Sequence, residues 1–282
     1  MTDELQQKVE RAVKLIQSAG ADGKTVEVAY SGGKDSDVIL ELTRMAGIKY
    51  QAIYKNTTID PPGTIKHVKE VGGVIVRPKM TFFEHMTKNG FPNMFQRSCC
   101  RVLKEYKVLD RSIQGIRKCE STKRDQVYQE PTECRVYGTG RKKQSVEALY
   151  PILDWTDDDV VTFIEERGIK VHPLYYREDG TIDPTRRLGC MCCPLAYYKK
   201  RIDYFRRYPR MVKAYCRAAK RYMDTHRDTP TVQKYADVYE WFTREVFFER
   251  QSGWQDHKTV TKYTHVDYKE FLEKVFGITL NL

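Results

Sequence analysis

The sequence predicts an α/β protein: a doubly wound, mainly parallel sheet with a C-terminal helical extension. Three observations carry this. Thr25-Val26-Glu27-Val28-Ala29-Tyr30 alternates as a strand does and runs into Ser31-Gly32-Gly33-Lys34-Asp35-Ser36-Asp37, after which Val38, Ile39, Leu40, Leu42 and Met45 recur at helical spacing. Short β-branched runs then alternate with helical patterns as far as Gly168. Beyond Cys193-Pro194 the chain changes to helices rich in Tyr, Arg and Lys. A soft boundary near Thr185 divides 1–185, an α/β domain, from 186–282, a cysteine turn with a basic, Tyr-rich helical region.

The elements follow in order. Leu5, Val9, Ala12, Val13 and Ile16 make one face of a helix closed by Gly20, and Gly47 closes the next. Tyr50–Tyr54 is a second strand, leading into Asn56-Thr57-Thr58-Ile59-Asp60-Pro61-Pro62-Gly63-Thr64 and a short helix through Ile65, Val68 and Val71. Val74-Ile75-Val76 is a third strand. Thr81-Phe82-Phe83-Glu84 has the form of a capping box. A helix follows Ser98 through Tyr106 and Leu109, and Ile113–Ile116 is a weak fourth strand. Residues 118–144 read as a long polar loop. Val146–Ile152 resumes a strand, and Thr156 caps a helix that ends at Gly168.

With 282 residues and 40% hydrophobic content the chain can bury a core, which excludes a disordered protein. No stretch approaches the ~20 apolar residues of a membrane span, and Met1-Thr2-Asp3-Glu4 lacks the apolar core of a signal peptide. A cytoplasmic location is expected. There eight cysteines are more readily metal or cluster ligands than disulfides. A formal net charge of +11 favours anionic partners.

The chemistry begins at the first loop. A strand, a glycine pair and a helix N-terminus make an anion site, because the glycines let the backbone approach a phosphate and free N–H groups of the first turn point at it. Lys34 adds a cation, Ser31 and Ser36 add hydroxyls, and Asp35 and Asp37 are candidates to help hold Mg2+. It is not a Walker A loop, since Val28 stands where that motif needs its first Gly. Cys190 and Cys193 form a Cys-x-x-Cys pair in a Gly-Pro turn, a chelating geometry for a thiophilic metal. Cys99 and Cys100 are an adjacent pair far upstream, while Cys119, Cys134 and Cys216 are isolated. From Tyr197 to Tyr222, tyrosines alternate with Lys199, Lys200, Arg201, Arg206, Arg207, Arg210, Lys213, Arg217, Lys220 and Arg221. Such a stretch can neutralise phosphates and stack on bases, so nucleic acid is a candidate partner of residues 197–222; a solvated amphipathic helix gives the same pattern.

Ser31–Ser36 resembles the PP-loop of the adenine-nucleotide alpha-hydrolase superfamily. Four further blocks, in order, resemble the phosphoadenosine-phosphosulfate (PAPS) reductase family. They are Asn56–Thr64, Gly115-Ile116-Arg117-Lys118-Cys119-Glu120-Ser121-Thr122-Lys123-Arg124, Tyr150–Thr156 with His172–Tyr176 beyond it, and Gly189–Pro194. The resemblance implies an enzyme that binds ATP or an adenylated sulfate through Ser31, Gly32, Gly33, Lys34, Asp35, Ser36, Thr57, Arg117, Glu120 and Ser121. It assigns catalytic roles to Lys34, Asp35, Arg117 and Arg124, the arginines offering planar forks to phosphate or sulfate oxygens and Glu120 orienting them. It also implies that Cys99, Cys100, Cys190 and Cys193 hold a four-iron cluster, as in the adenylylsulfate-reducing branch. Four thiolates suit such a cluster or a structural zinc, and buried reduced cysteines are the third alternative. Cys192 adds a thiol outside the pattern. Reductases of the family resemble one another in a C-terminal Glu-Cys-Gly-Leu-His segment, and Val275–Leu282 has no cysteine. Sulfonucleotide reduction and ATP-dependent sulfur transfer both stay open, with a non-catalytic nucleotide- or nucleic-acid-binding protein as the alternative.

Overall fold

The computed structural model describes all residues except 93–96, 139, 140, 142, 194, 195, 197 and 248–266, together with the side chains of Tyr198, Lys199 and Phe247. The chain divides into two compact units, one of residues 1–78 and 101–189 and one of residues 79–100 and 190–282.

The first unit is built on a six-stranded sheet. Its strands are β1 (Val26–Ala29), β2 (Tyr50–Lys55), β3 (Val74–Val76), β4 (Arg111–Ile113), β5 (Thr132–Tyr137) and β6 (Gln144–Leu149), in the spatial order β3-β2-β1-β4-β6-β5. All neighbours run parallel except β5, which pairs antiparallel with β6 at the edge. Val28 pairs with Ala52 on one side and Ile113 on the other. The chain therefore winds outward from β1 through β2 to β3, then returns to place β4 on the opposite side of β1. That reversal leaves a crevice at the carboxyl ends of β1 and β4, where open α/β sheets bind ligands.

Helices α1 (Asp3–Ala19), α2 (Lys34–Ala46) and α3 (Thr64–Glu70) belong to this unit, as do α6 (Thr122–Val127) and α7 (Asp157–Glu166) farther on. The core interleaves the β1 residues Val26 and Val28 with Ile16, Ile39, Leu40, Leu42 and Phe163, all essentially inaccessible to solvent. Each such side chain contributes about 1.5–3 kcal/mol by leaving water. Local chemistry sets the helix ends. Gly47 leaves α2 in the left-handed conformation at φ 67°, and Thr156 and Asp159 cap α7 reciprocally.

Two expectations are corrected. Residues 118–144 are not a long loop: they hold a 3₁₀ turn (Lys118–Glu120), α6 and β5. The strand was hidden because its pattern is inverted: Glu133 and Arg135 lie on its less exposed face, and Thr132, Cys134 and Val136 on its exposed one. The helix after Ser98, α5 (Ser98–Leu103), also stops six residues before Leu109, and β4 begins two residues earlier than Ile113.

The second unit contains α4 (Phe82–Asn89), the start of α5, α8 (Tyr198–Arg207), α9 (Arg210–Thr225), α10 (Pro230–Gln233), α11 (Val238–Trp241), a π-helical turn (Phe242–Phe247) and α12 (Tyr268–Phe276). Its core is aromatic. Tyr215 of α9 meets Phe82, Phe83 and Phe205 at ring-centre distances of 5.5, 5.4 and 5.6 Å, and Phe205 meets Phe242 at 5.0 Å. Segment 79–100 precedes the expected boundary at Thr185, yet it lies in this unit because the apolar face of α4 packs on α9. Among the described residues no helix is long and apolar enough to cross a membrane.

Candidate active site

The loop after β1 adopts the geometry its glycines allow. Gly32 has φ +75°, a left-handed conformation that side chains resist, and a Cβ there would stand 3.1 Å from Thr64 Cγ2. Gly33 caps α2 in extended conformation, and its carbonyl accepts the backbone N–H groups of Ser36 at 2.8 Å and Asp37 at 3.0 Å. The Ser36 hydroxyl donates to the same carbonyl at 2.6 Å, and the Gly33 N–H donates to Ser31 Oγ at 3.3 Å. The buried Tyr175 braces the loop. Its hydroxyl accepts the Leu188 N–H at 3.0 Å, its ring lies 5.7 Å from Lys34 Nζ, and burial pushes its pKa up to about 12.

Behind the loop sits a buried trio. Asp37 accepts from the Tyr30 hydroxyl and lies 3.0 Å from His67 Nε2. Burial pushes the Asp37 carboxyl up, while His67 and Tyr30 restrain it. His172 stands edge-on to His67, 6.0 Å between ring centres, and burial followed by the His67 charge holds its imidazole below the ordinary value.

Arg117 is the most buried cation of the site, at 1% exposure. The sequence gives it an anion-binding fork. In the structure its Nε donates to Asp35 at 2.7 Å, its Nη2 to Asp157 at 2.7 Å, and its Nη1 to Cys119 Sγ at 2.9 Å. Burial works against its charge, and Asp35 and Asp157 outweigh that and raise its pKa. The fork therefore clamps the first turn of α2 to the start of α7. Lys34 is equally enclosed, paired with Asp35 at 3.2 Å. Gly115 permits the close packing beneath: a Cβ there would meet the Asp35 carbonyl at 2.9 Å.

A second cluster surrounds Glu120. Arg124 pairs with its carboxylate, Arg187 approaches the same carboxylate at 3.6 Å, and the Arg117 N–H donates to it at 3.3 Å. Burial, and then the neighbouring Arg187, lower the Arg124 pKa. The Ser121 hydroxyl caps α6 by accepting the Arg124 N–H at 3.3 Å. Thr57 is buried, with its N–H on Asp60 at 3.0 Å. A cavity of about 250 Å3 opens at the carboxyl edge of the sheet, between Ser31, Tyr54, Lys55, Gln114 and Tyr137. The loop, Lys34, Asp35, Arg117 and the Glu120 cluster thus stand together in the first unit. The sequence missed Asp157, His67 and Arg187. Only Arg187, beside the Gly-Cys turn, carried a local signal.

Cys99, Cys100, Cys190 and Cys193, the expected metal ligands, all belong to the second unit. A hydrogen bond with Cys100, then burial, then the charges of Cys193 and Cys190 push the Cys99 thiol far up. Cys192 is buried with φ +56°, its carbonyl accepts the Tyr215 hydroxyl at 3.1 Å, and burial raises its thiol despite the Arg201 charge nearby. Among the described residues no three His, Cys, Asp or Glu side chains are drawn close enough to hold a single metal ion. Four thiols are the donor type that an iron–sulfur cluster or a structural zinc takes. The two carboxylates expected to help hold Mg2+ are engaged with protein partners, Asp35 with Arg117 and Lys34, and Asp37 with Tyr30 and His67.

A parallel sheet with a glycine loop and a cavity at its switch point defines an α/β protein of the PP-loop type. The model of the phosphoadenosine phosphosulfate reductase domain matches residues 25–196, more than half of the chain, and the chain belongs to that family. An uncharacterized protein of Methanocaldococcus jannaschii is 28% identical over 214 residues, covering 70% of this chain and 48% of its own. The adenosine 5'-phosphosulfate reductase of Streptomyces coelicolor is 27% identical over 137 residues, 46% of this chain and 57% of that protein. The chain thus spans about half the length of these relatives. The crystal structure of PAPS reductase from Candida auris, a phosphate complex, superimposes with a TM-score of 0.43 at 14% identity, covering 67% of this chain and 96% of that one.

Proposed function

We propose that the protein is an enzyme that binds ATP or an adenylated sulfate on the Ser31–Ser36 loop and performs sulfur chemistry, either reduction to sulfite or ATP-dependent sulfur transfer. The observation that carries this is the left-handed Gly32 loop at the switch point, opening beside a cavity of about 250 Å3. The N–H groups of the first turn of α2 and the Lys34 cation hold phosphate oxygens. Asp35 and Arg117 keep that turn in place, and Arg124, oriented by Glu120, faces the oxygens of the phosphate or sulfate. Thr57 and Ser121 shape the loops on either side, and the cavity takes the nucleoside.

Cys99, Cys100, Cys190 and Cys193 would hold an iron–sulfur cluster. When bound, such a cluster supplies electrons or a thiophilic iron to sulfur chemistry. The membership in a family with enzyme relatives, including an adenylylsulfate reductase, supports the reading.

The test is product analysis on anaerobically purified protein of known iron content. Sulfite released from an adenylated sulfate marks reduction, and pyrophosphate released from ATP with a sulfur donor and an acceptor marks transfer. Tight nucleotide binding without either product, from cluster-loaded protein, would overturn the enzymatic reading and leave a nucleotide sensor.

A further inference from the structure

Helix α9 buries one face and charges the other. Val212, Tyr215, Cys216, Ala218, Ala219 and Met223 are its buried residues. At 3.6 residues per turn, Arg210, Lys213, Arg217, Lys220 and Arg221 fall within an arc of roughly 100° on the opposite side. Arg210, Arg217, Lys220 and Arg221 are exposed, as is Arg206 at the end of α8. Lys220 pairs with Asp224 at 2.7 Å. Among the described residues, Arg206, Arg210, Lys213, Arg217 and Arg221 have no carboxylate within ion-pair distance. This contrasts with the first unit, where Arg111, Arg117, Lys118 and Arg124 are each matched by an acid. Like charges one turn apart repel, so an unmatched row is a cost to the free protein.

We propose that this stripe is a docking surface for the phosphate backbone of a nucleic-acid strand. The row from Arg210 to Arg221 extends about 16 Å, with cations repeating about every 5.4 Å, one helical turn. A strand carries regularly repeated phosphates and meets such a row with several at once, releasing counterions as it does. Aromatic residues occur in the same two helices or directly after them. Tyr204 and Tyr208 are half-buried and stacked 6.4 Å apart, and Tyr222 stacks on His226 at 4.1 Å. These rings are engaged with one another or with neighbouring side chains, so the charges alone carry the proposal. An anionic membrane fits less well. A helix that lies in a membrane inserts its apolar face, but the apolar face of α9 is turned into its own unit, and among the described residues none of the exposed large hydrophobic side chains belongs to α8 or α9. Tyr197 and the side chains of Tyr198 and Lys199 lie outside the described residues.

The experiment compares the full chain with its Arg210→Gln/Arg217→Gln/Arg221→Gln variant. Glutamine keeps helix propensity and removes charge. Binding of fluorescein-labelled single-stranded RNA is followed by anisotropy across a salt series. The slope of log affinity against log salt should flatten by about 2, since each phosphate contact contributes about 0.7 for a single strand. Circular dichroism checks the helix. ATP affinity measured on the same samples separates failure here from failure of the nucleotide site, because α9 belongs to the other unit. Equal slopes for the two proteins would overturn the proposal, as would absence of salt-dependent RNA binding in the parent. Binding to phosphatidylserine vesicles in place of RNA would assign the stripe to a membrane and overturn it too.

Discussion

Replacing Arg117 by Met tests whether this arginine is a clamp or a ligand. Methionine keeps much of the buried length and removes the guanidinium. Two charge-assisted bonds are lost, to Asp35 and to Asp157, both at 2.7 Å. A hydrogen bond to a charged group contributes about 1.5–3 kcal/mol. Asp35 is only 17% exposed and keeps Lys34 at 3.2 Å, so its bond to Arg117 counts nearly in full. Asp157 is 46% exposed, and water replaces much of its bond, leaving about 0.5 kcal/mol. The expected loss is about 2–3 kcal/mol, or a Tm lower by roughly 5–10 °C for a unit of this size. Urea unfolding and thermal melts measure it. Adding Asp35→Asn removes the stranded carboxylate and should return part of the loss, which a double-mutant cycle reads as coupling. A variant within about 0.5 kcal/mol of the parent that nonetheless loses nucleotide affinity would refute the clamp and restore Arg117 as a phosphate fork.

Three further outcomes are expected. Lys34→Ala should weaken nucleotide binding by about 1.5–3 kcal/mol, roughly tenfold to hundredfold by calorimetric titration, with a much smaller Tm change than Arg117→Met because Asp35 keeps its arginine. Cys193→Ser should lose iron and lower Tm, whereas Cys216→Ser, buried within α9, should keep its iron and lose only the stability that a buried hydroxyl costs; full iron content in Cys193→Ser would defeat the four-thiolate site. His172 should make the protein less stable in mild acid. Its folded pKa lies below 6.5, so as pH falls through that value the unfolded chain takes up a proton that the folded chain refuses, and stability is lost until the folded pKa is reached. The slope of Tm against pH between about 7.5 and 5.5 should flatten in His172→Gln, and an unchanged slope would assign the acid sensitivity elsewhere.

Local chemistry was legible and distant partnership was not. The glycine loop, the reciprocal caps at Thr81–Glu84 and Thr156–Asp159, and the left-handed Gly47 all depend on residues within a few positions of one another. Sequence spacing sees such features directly. The pairing of Cys99 with Cys190 and Cys193 came from resemblance, since no local signal joins segments so far apart. The fate of Arg117 was invisible for a related reason. Whether an arginine fork faces a ligand or a protein acid depends on which loop returns beside it, and Asp157 arrives 40 residues later. The edge strand β5 escaped because its charged residues, Glu133 and Arg135, lie on its less exposed face, the reverse of the usual strand pattern.

In the function proposed above, with Arg117 matched to Asp35 and Asp157, the Glu120 cluster supplies the anion's further contact. There Arg124 and Arg187 approach one carboxylate, and the Arg187 charge helps push the Arg124 pKa down. Two guanidiniums held this close repel, and an anion seated between them relieves that repulsion on binding. Arg187 is 48% exposed and Arg124 34%, so both are open to a ligand as Arg117 is not. Arg187→Ala should therefore cost nucleotide affinity of order 1.5–3 kcal/mol, comparable to Lys34→Ala. Its Tm should change little, because the like charge beside Arg124 goes together with the half-exposed Arg187 contacts to Glu120. The affinity loss should also shrink in high salt, as expected for a half-exposed charge. Calorimetric titration of ATP at two salt concentrations, with melts on the same samples, reads all three. An Arg187→Ala protein that binds nucleotide as the parent does would remove this pair from the site.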